Sequence, residues 1–234
     1  MGTLSSYNTS YKMAPKLTGF AGNSRVRRVL AAAALAGVEL DYDSSFSFKS
    51  DWKTAEFLEK YPLGYLPAFQ DGELYLSESG AIAEYVAELG PNQTILPSDK
   101  KERAAVHQWQ CFADQEIFIK HSAANGMIAG RYPYSKPTFT ALYDSLLQRL
   151  QTLDSILLSK TFLVGERITL ADVFVVSALG NAFTGLVDKA GREKISNVVR
   201  YFETVINHPK LAAIFDNGKP ALTETKPPSS RPPR

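Results

Sequence analysis

A Ser-Glu-Ser triplet, residues 77–79, stands where a short apolar run gives way to a helical pattern. The first turn of a helix has backbone N–H groups without partners and a partial positive charge, which suits a bound carboxylate. Ser79 could hold a carboxylate through its N–H and hydroxyl, while Glu78 could accept from an ammonium on the same ligand carbon. Local sequence favours a simpler alternative, in which Ser79 or Ser77 is a plain N-cap and Glu78 an ordinary first-turn acid.

A proline lies inside the apolar run LPAF, at Pro67. Because proline removes a ladder donor, it belongs on a sheet edge or beside a functional site. If its peptide bond is cis, Leu66 presents its N–H and C=O outward, and an extended peptide could pair with them as an added strand. A trans proline on an ordinary edge fits the local sequence equally well.

The loop after the first predicted strand enters a helix at Asn23 and Ser24. A thiolate near the N–H groups of that helix would be stabilised by its partial positive charge. The Ser24 hydroxyl would add one donor, and Arg25 would add charge. The alternative is a capped helix with a solvated basic face at Arg25, Arg27 and Arg28, and we assign Arg27 and Arg28 to such a face.

Two further groups of residues are interpreted as structural. Thr169 and Asp172 have the spacing of a capping box and open the most apolar helical pattern of the chain. The single cysteine, Cys111, is expected to be a buried thiol. His107 and His121 lie about 21 Å apart along one helix, so they cannot share a metal ion and no metal site is predicted.

The elements that would position these residues fall into two groups. The first ninety residues follow the order strand, helix, strand, helix, strand, strand, helix, with Asp71-Gly72 as the turn of a two-residue hairpin. This order predicts a four-stranded mixed sheet with helices packed on it. The predicted strands are 16–20, 38–43, 66–69 and 73–76, and the predicted helices are 24–37, 50–62 and 79–89.

After about residue 92 the strand patterns stop and helical patterns follow, at 100–121, 138–158, 170–183 and 194–207. The predicted fold class is therefore α/β plus all-α. The expected domains are a sheet-containing domain at 15–91 and an all-helical bundle at 92–220. Residues 1–14 are expected to form a flexible leader, and residues 221–234 a proline-rich tail.

Composition excludes several function classes. The chain of 234 residues is 44% hydrophobic and 21% charged, with a net charge of +2, so neither nucleic acid nor an anionic membrane is expected as a partner. It lacks the run of roughly 20 apolar residues that spans a bilayer, and its polar N-terminus lacks a secretory signal. A cytoplasmic location is expected.

Three ordered segments carry a resemblance to a known family: EFLEKYPLGYLPAFQDG, LSESGAIAEYVAEL and TFLVGERITLADVFVV. The chain resembles the cytosolic glutathione transferase family over residues 16–215, which implies a thioredoxin-like domain, a linker and a helical domain. WQCFADQEI and TFLVGERITLADV are similar to the transferase-like domain of the gamma subunit of elongation factor one B, and to its stand-alone fungal relatives. The separate C-terminal domain of that subunit is not found here, so a free-standing enzyme is favoured.

The resemblance implies roles for five residues in binding glutathione. Pro67 becomes the cis-proline, and Leu66 the residue that pairs with the cysteine backbone of glutathione. Glu78 and Ser79 become the γ-glutamyl site. Lys53 becomes a candidate for the glycine carboxylate.

The chain also departs from the family pattern. Many members have Lys where this chain has Tyr65, and many have a catalytic Tyr, Ser or Cys after the first strand. Here Ala21 falls near the usual position of a serine. Ser24, assisted by Asn23 and Arg25, is therefore predicted to stabilise the thiolate.

The resemblance favours a detoxifying glutathione transferase, with glutathione as co-substrate, that attacks a small hydrophobic electrophile and forms a homodimer. The electrophile would lie against the helical domain, where the candidate pocket residues are Trp109, Phe112 and Phe118. Two alternatives stay open. One is a non-catalytic interaction module of a translation complex, and the other a glutathione-dependent peroxidase or thiol reductase.

Overall fold

A computed structural model describes residues 13–46, 54–218 and 220–224, and shows a sheet-containing unit followed by helices. Within the described residues four strands form one mixed sheet in the order β2-β1-β3-β4, so the predicted fold class is confirmed. The first β-strand runs parallel to the second and antiparallel to the third. The elements are β1 (Lys16–Thr18), α1 (Ser24–Ala36), β2 (Asp41–Asp43), α2 (Ala55–Lys60), β3 (Ala68–Asp71), β4 (Leu74–Leu76) and α3 (Ser79–Leu89).

The hairpin between β3 and β4 differs from the prediction by one residue. Asp71 pairs with Leu74, so the two loop residues are Gly72 and Glu73 rather than Asp71 and Gly72. Gly72 has φ 59°, a left-handed conformation that glycine adopts without steric cost. The glycine therefore takes the first loop position, and Asp71 remains in the strand.

One face of the sheet packs against α1 and α3. Leu17 and Phe69 point from the sheet into a cluster with Val29, Ile82 and Val86, all fully buried. The periodicity of the two helices explains this arrangement, because each places apolar residues three and four apart on one side. Both helices are therefore held rigidly above the sheet, with their starts at one end of it.

The described residues after α3 are mainly helical, as predicted. The expected helix at 100–121 continues to Ile128 through a π-helical turn, and it closes only near Gly130, whose φ is 75°. Nearly every side chain of α7 is buried, which places this helix at the centre of the bundle. The elements are α4 (Lys100–Phe112), the π-helical turn (Ala113–Phe118), α5 (Ile119–Ile128), α6 (Lys136–Leu157), α7 (Leu170–Gly185), α8 (Lys189–Arg192) and α9 (Ser196–Ile206).

The ends of α1 and α3 that lie away from their starts approach each other closely at Gly90. A Cβ atom at this position would collide with the carbonyl group of Ala36. Asn92 then bonds to both last residues of α1, since its N–H donates to the Ala36 carbonyl at 3.2 Å and its side-chain amide to the Leu35 carbonyl at 3.0 Å. The linker thus begins by joining the two helices of the sheet-containing unit.

Three predictions fall wholly or partly outside the described residues. They are the leader over residues 1–12, the tail from residue 225 onward, and the start of the predicted helix at 50–62, including Lys53. The described part of that helix is α2, which begins after Thr54, whose side chain accepts from the Phe57 N–H. None of the helices in the described ranges is long and apolar enough to cross a membrane.

Candidate glutathione site

Strand register brings three features of the sequence to one end of the sheet. Thr18, the last residue of β1, pairs with Ala68, the first residue of β3. Because β4 is antiparallel to β3, it also ends at this edge. The loop leading to α1, the Leu66–Pro67 segment and the start of α3 therefore converge there.

The Leu66–Pro67 peptide bond is cis, the isomer that the resemblance implies. Leu66 is buried, and neither its N–H nor its C=O makes a hydrogen bond within the described part of the chain. Behind this segment, Tyr61 donates its hydroxyl to the Phe69 carbonyl at 3.1 Å. Burial, together with Tyr75, raises the pKa of Tyr61 to about 12, so this phenol stays neutral. The backbone of Leu66 is thus a free pairing edge held by a buried tyrosine.

The start of α3 is open. Its N-cap is Glu78, which has φ 70° and makes no capping hydrogen bond through its side chain. The predicted plain cap by Ser77 or Ser79 is wrong, because the left-handed turn at Glu78 makes Ser79 the first helical residue. The first helical hydrogen bond is donated by Ile82, so the N–H groups ahead of it are available to a ligand.

A buried guanidinium lies behind this open helix start. Arg28 is fully buried, and its Nη1 donates to Asp114 Oδ1 at 2.6 Å and to Ser79 Oγ at 3.5 Å. Burial lowers the pKa of Arg28, while Asp114 opposes the effect. The predicted solvated face is therefore wrong for Arg28. The same side of α1 carries Ala31 and Ala32, both fully buried. These small apolar residues three and four positions after Arg28 were the sequence signal that this face of α1, and Arg28 with it, is buried.

Two arginines of α1 lie close to the ring of Phe118. The guanidinium of Arg25 lies 4.3 Å from the centre of the Phe118 ring, and that of Arg28 lies 5.8 Å from it. On its other side, Arg28 lies 4.5 Å from the centre of the Phe174 ring. The π-helical turn supplies both Phe118 and Asp114, and so brings the helical domain to the start of α3. Sequence reasoning did not identify Asp114.

Asn23 and Ser24 have different partners at the start of α1. Asn23 is the N-cap, and its Oδ1 accepts from the Arg25 N–H at 2.8 Å. Its side-chain Nδ2 has no hydrogen-bond partner among the residues described. Ser24 is buried, and its hydroxyl oxygen accepts from Asn181 Nδ2 of α7 at 2.8 Å. The predicted thiolate-stabilising hydroxyl is therefore engaged by the helical domain.

Ser24 also borders a cavity of about 250 Å³ between α1, α7 and the segment after α9. Arg27 closes one side of it through two hydrogen bonds to Asp216, at 2.9 and 2.8 Å. The predicted solvated role of Arg27 is wrong, since its guanidinium is paired across the two units. The aromatic walls of the cavity are Phe202 and Phe215.

The three aromatic residues predicted for the electrophile pocket are in different environments. Trp109 is 9% exposed and belongs to the main core. Its ring and that of Phe112 form an edge-to-face pair with their centroids 5.2 Å apart. Trp109 is therefore a core residue, because the face of α4 that carries it packs inward. Phe112 is half-buried against the same core, and Phe118 is the one of the three that reaches Arg25.

Other sequence expectations concern single residues. Tyr65, the departure from the family pattern, is exposed. Cys111 is half-buried rather than fully buried, with its Sγ 3.6 Å from His107 Nε2. Within the described ranges, no group of three or more His, Cys, Asp or Glu residues is arranged to hold a metal ion.

Residues 13–88 match the family described as "Glutathione S-transferase, N-terminal domain", and residues 112–209 match "Glutathione S-transferase, C-terminal domain". A "Glutathione S-transferase-like protein" of Aspergillus aculeatus is 35% identical over 210 residues, covering 87% of this chain and 97% of the relative. "Elongation factor 1-gamma" of Artemia salina is 36% identical over 208 residues, covering 88% of this chain and 47% of the relative. The chain thus spans about half the length of the elongation factor relatives that it matches.

Solved structures share the fold at lower identity. The glutathione transferase-like domain of elongation factor 1-gamma from Saccharomyces cerevisiae aligns with a TM-score of 0.79 at 22% identity, over 94% of this chain and 99% of that one. Glutathione transferase URE2P6 from Phanerochaete chrysosporium, in complex with oxidised glutathione, aligns with a TM-score of 0.77 at 18% identity, over 87% and 96%. On the two family matches, the fungal relative and the shared fold, the chain belongs to the glutathione transferase family.

Proposed function

We propose that the protein is a glutathione transferase that binds glutathione at the end of its sheet and presents the thiolate to a hydrophobic electrophile. The observation that carries this proposal is the pairing edge of Leu66 beside the uncapped start of α3. An extended peptide with a zwitterionic end fits that combination, because strand pairing and a helix N-terminus each hold one part of it.

Glutathione would lie with its γ-glutamyl end at the start of α3 and its glycine end towards Lys53. Its cysteine backbone would pair with Leu66, and its γ-glutamyl carboxylate would accept from the first N–H groups of α3 and from Ser79. The γ-glutamyl ammonium would donate to Glu78, which is exposed at the mouth of the site. Lys53 is proposed for the glycine carboxylate at the other end of the tripeptide.

The thiolate would lie at the start of α1. Two side chains can donate to it: Asn23, whose Oδ1 is fixed by the Arg25 N–H and whose Nδ2 is left to donate, and Ser24, whose oxygen accepts from Asn181 Nδ2 and whose hydroxyl proton points elsewhere. The partial positive charge of α1 and the guanidinium of Arg25 would favour the ionised sulfur. Ser24 keeps a hydroxyl proton that could assist.

The electrophile would be held by the helical domain, on either side of the start of α1. Phe118 offers one apolar wall beside Arg25, and the cavity with Phe202 and Phe215 lies on the other side, next to Ser24. In the reaction the thiolate forms a carbon–sulfur bond to the electrophilic carbon, and the leaving group departs with the bonding electron pair.

The test measures binding, ionisation and turnover in that order. Calorimetry with millimolar glutathione should give a heat of association, and thiolate absorbance should place the pKa of bound glutathione at least about one unit below that of the free thiol. Asn23→Ala and Ser24→Ala should each raise that pKa, since each removes a donor to the thiolate. Absence of binding would overturn the proposal, and an unshifted thiol pKa would overturn the role of the α1 start.

A non-catalytic interaction module is the second candidate. One observation favours it: several relatives are named elongation factor 1-gamma. Retention on immobilised glutathione without turnover of a chlorinated aromatic electrophile or of a hydroperoxide would support this candidate. Turnover of the hydroperoxide alone would instead indicate a peroxidase.

A cytoplasmic homodimer is the proposed form of the protein. Dimerisation is typical of this fold. Sedimentation equilibrium at micromolar concentration should give twice the mass of 25.8 kDa. A monomer at that concentration would contradict the proposed form.

A further inference from the structure

The start of α3 has a buried cation behind it, on a neighbouring helix. Arg28 has no exposed surface, and two of its three guanidinium nitrogens, Nε and Nη2, make no hydrogen bond within the described part of the chain. Its third nitrogen, Nη1, contacts both Asp114 and Ser79. Removing a guanidinium from water is costly unless it is paired, so its position at this helix start calls for a reason.

We infer that Arg28 is a positioning residue that makes the Ser79 hydroxyl a donor toward a bound carboxylate. The inference rests on the proposed function and deepens it, since it names how this chain recognises the γ-glutamyl carboxylate. Arg28 itself does not touch the ligand. It acts through Ser79 and through its charge.

The argument from hydrogen bonding concerns the single proton of Ser79. A serine hydroxyl has one proton to donate and two lone pairs to accept with. Arg28 Nη1 approaches this oxygen at 3.5 Å, a long contact, and its positive charge favours the hydroxyl rotamer whose proton points away from the guanidinium. The neighbouring N–H groups of α3 are themselves donors and cannot accept it. The acceptor that completes the arrangement is a ligand oxygen at the open helix start.

The argument from charge concerns the orientation of the ion pair. The Asp114 side chain is 39% exposed, whereas the Arg28 side chain is fully buried next to Ser79. Because Arg28 contacts Ser79 directly, the positive end of this ion pair faces the start of α3. The ring of Phe174 lies against the guanidinium at 4.5 Å and keeps water out, so the pair acts through a medium of low polarity. It adds to the partial positive charge of the helix itself.

A purely structural ion pair, joining α1 to the π-helical turn, is the competing explanation. Loss of such a pair would loosen the site and weaken every ligand by a similar factor. The two explanations therefore differ in whether the effect depends on the ligand's carboxylate.

The experiment compares two ligands that differ in that group alone: glutathione, and 4-aminobutyryl-cysteinylglycine, which lacks the γ-glutamyl carboxylate and keeps the amine. Dissociation constants are measured by NMR titration, which reaches weak affinities. Wild-type protein is expected to prefer glutathione by about 20-fold, the range of a charge-assisted hydrogen bond. Arg28→Met should reduce that ratio to about threefold, since it removes the donor to Ser79 and its charge.

Asp114→Asn should change the ratio in the opposite direction. The amide oxygen still accepts from Arg28, but the charge that offsets the guanidinium is removed, so the preference for glutathione should rise about twofold. Arg28→Met is expected to fold, because the half-exposed Asp114 can be hydrated when Arg28 is replaced. Asp114→Asn keeps the hydrogen bond to the buried guanidinium but removes its counter-charge, so it should be less stable than the wild type, and circular dichroism at the titration temperature checks that it is folded. Arg103→Met is the matched control, since it removes an arginine of α4 that pairs with Glu88 on the surface, and its ratio should equal that of the wild type.

Equal weakening of both ligands by Arg28→Met would overturn the inference in favour of the structural explanation. An unchanged or lower ratio in Asp114→Asn would also overturn it, and this variant decides alone if Arg28→Met fails to fold. Wild-type protein that binds both peptides equally would overturn it while leaving the glutathione site in place. Wild-type protein that binds neither would overturn the proposed function together with this inference.

Discussion

Helices α7 and α3 each begin with a hydroxyl residue and an acid, yet their polar groups find partners in different places. At α7, Asp172 Oδ2 accepts from the Thr169 N–H at 2.8 Å, and its Oδ1 accepts from the Leu163 N–H at 3.0 Å and the Tyr201 hydroxyl at 2.9 Å. All the donors belong to the protein, and Thr169 and Asp172 are fully buried. At α3, the acid is exposed and the first N–H groups have no cap.

The difference shows when a helix start stabilises the fold and when it is available to a ligand. A reciprocal cap uses the backbone donors within the chain, so the start of α7 has nothing left to offer. The left-handed turn at Glu78 keeps its side chain away from the donors of α3, which remain free for a carboxylate. The following predictions test this contrast.

The largest effect is expected from Asp172→Ala. It leaves the Tyr201 hydroxyl and two backbone N–H groups buried without an acceptor, so the free energy of unfolding should fall by about 3–5 kcal/mol. Urea denaturation measures the loss. Thr169→Ala should cost about 1 kcal/mol, as for an ordinary cap. A loss below 1 kcal/mol for Asp172→Ala would show that the α7 start is not a closed cluster.

Acid should act on the other end of α7, where His121 packs against Gly185. Burial, with a contribution from Arg131, lowers the pKa of His121 from 6.5 to about 4. Since the folded protein disfavours the protonated ring, stability present above pH 6.5 is lost as the pH falls towards 4. At about 1.4 kcal/mol per pKa unit the loss is roughly 3 kcal/mol.

The control for this acid effect is His121→Phe, which removes the titrating ring. Between pH 7 and pH 4, the free energy of unfolding of this variant should fall by roughly 3 kcal/mol less than that of the wild type. Asp172 cannot account for the loss, because burial raises its pKa and its protonation favours the folded state. An identical acid response in both proteins would exclude His121 as the cause.

At the open start, Ser79→Ala should change binding more than stability. It should weaken glutathione binding about tenfold by removing a donor to a charged group, while the free energy of unfolding should fall by only about 1 kcal/mol, since Arg28 Nη1 keeps its bond to Asp114. Ser77→Ala, two residues earlier and outside the helix, is the control and should bind like the wild type. Equal losses in the two variants would contradict the placement of the carboxylate.

The smallest effect is expected from Glu78→Gly, which should raise stability and weaken glutathione binding. Glycine adopts a φ of 70° without steric cost, so the free energy of unfolding should rise by about 0.5–1 kcal/mol. Glutathione binding should weaken several-fold because the acceptor for its ammonium is lost. Thermal unfolding and titration check the two halves, and a destabilised variant would show that the turn is not strained.

Periodicity and turn residues predicted the fold, because each element carries its own local pattern. Pro67, Glu78 and Ser79 are candidates in the sequence because they interrupt such patterns, but only the family resemblance predicts that they bind glutathione. Arg28 was misassigned since the run RVRR reads as a basic face, although the alanines one turn on reveal its burial. The bond between Ser24 and Asn181 joins residues 157 positions apart, and no local pattern contains it.

Gly90 lies far from the starts of α1 and α3, yet its lack of a side chain affects how those starts are placed. Because the carbonyl of Ala36 occupies the space of a side chain at this position, the angle between α1 and α3 is fixed about 20 Å from their starts. A larger residue at 90 is therefore expected to push the two helices apart and to shift Arg28 relative to Ser79. Under the proposed role of Arg28, such a change would alter ligand preference from a position that no ligand reaches.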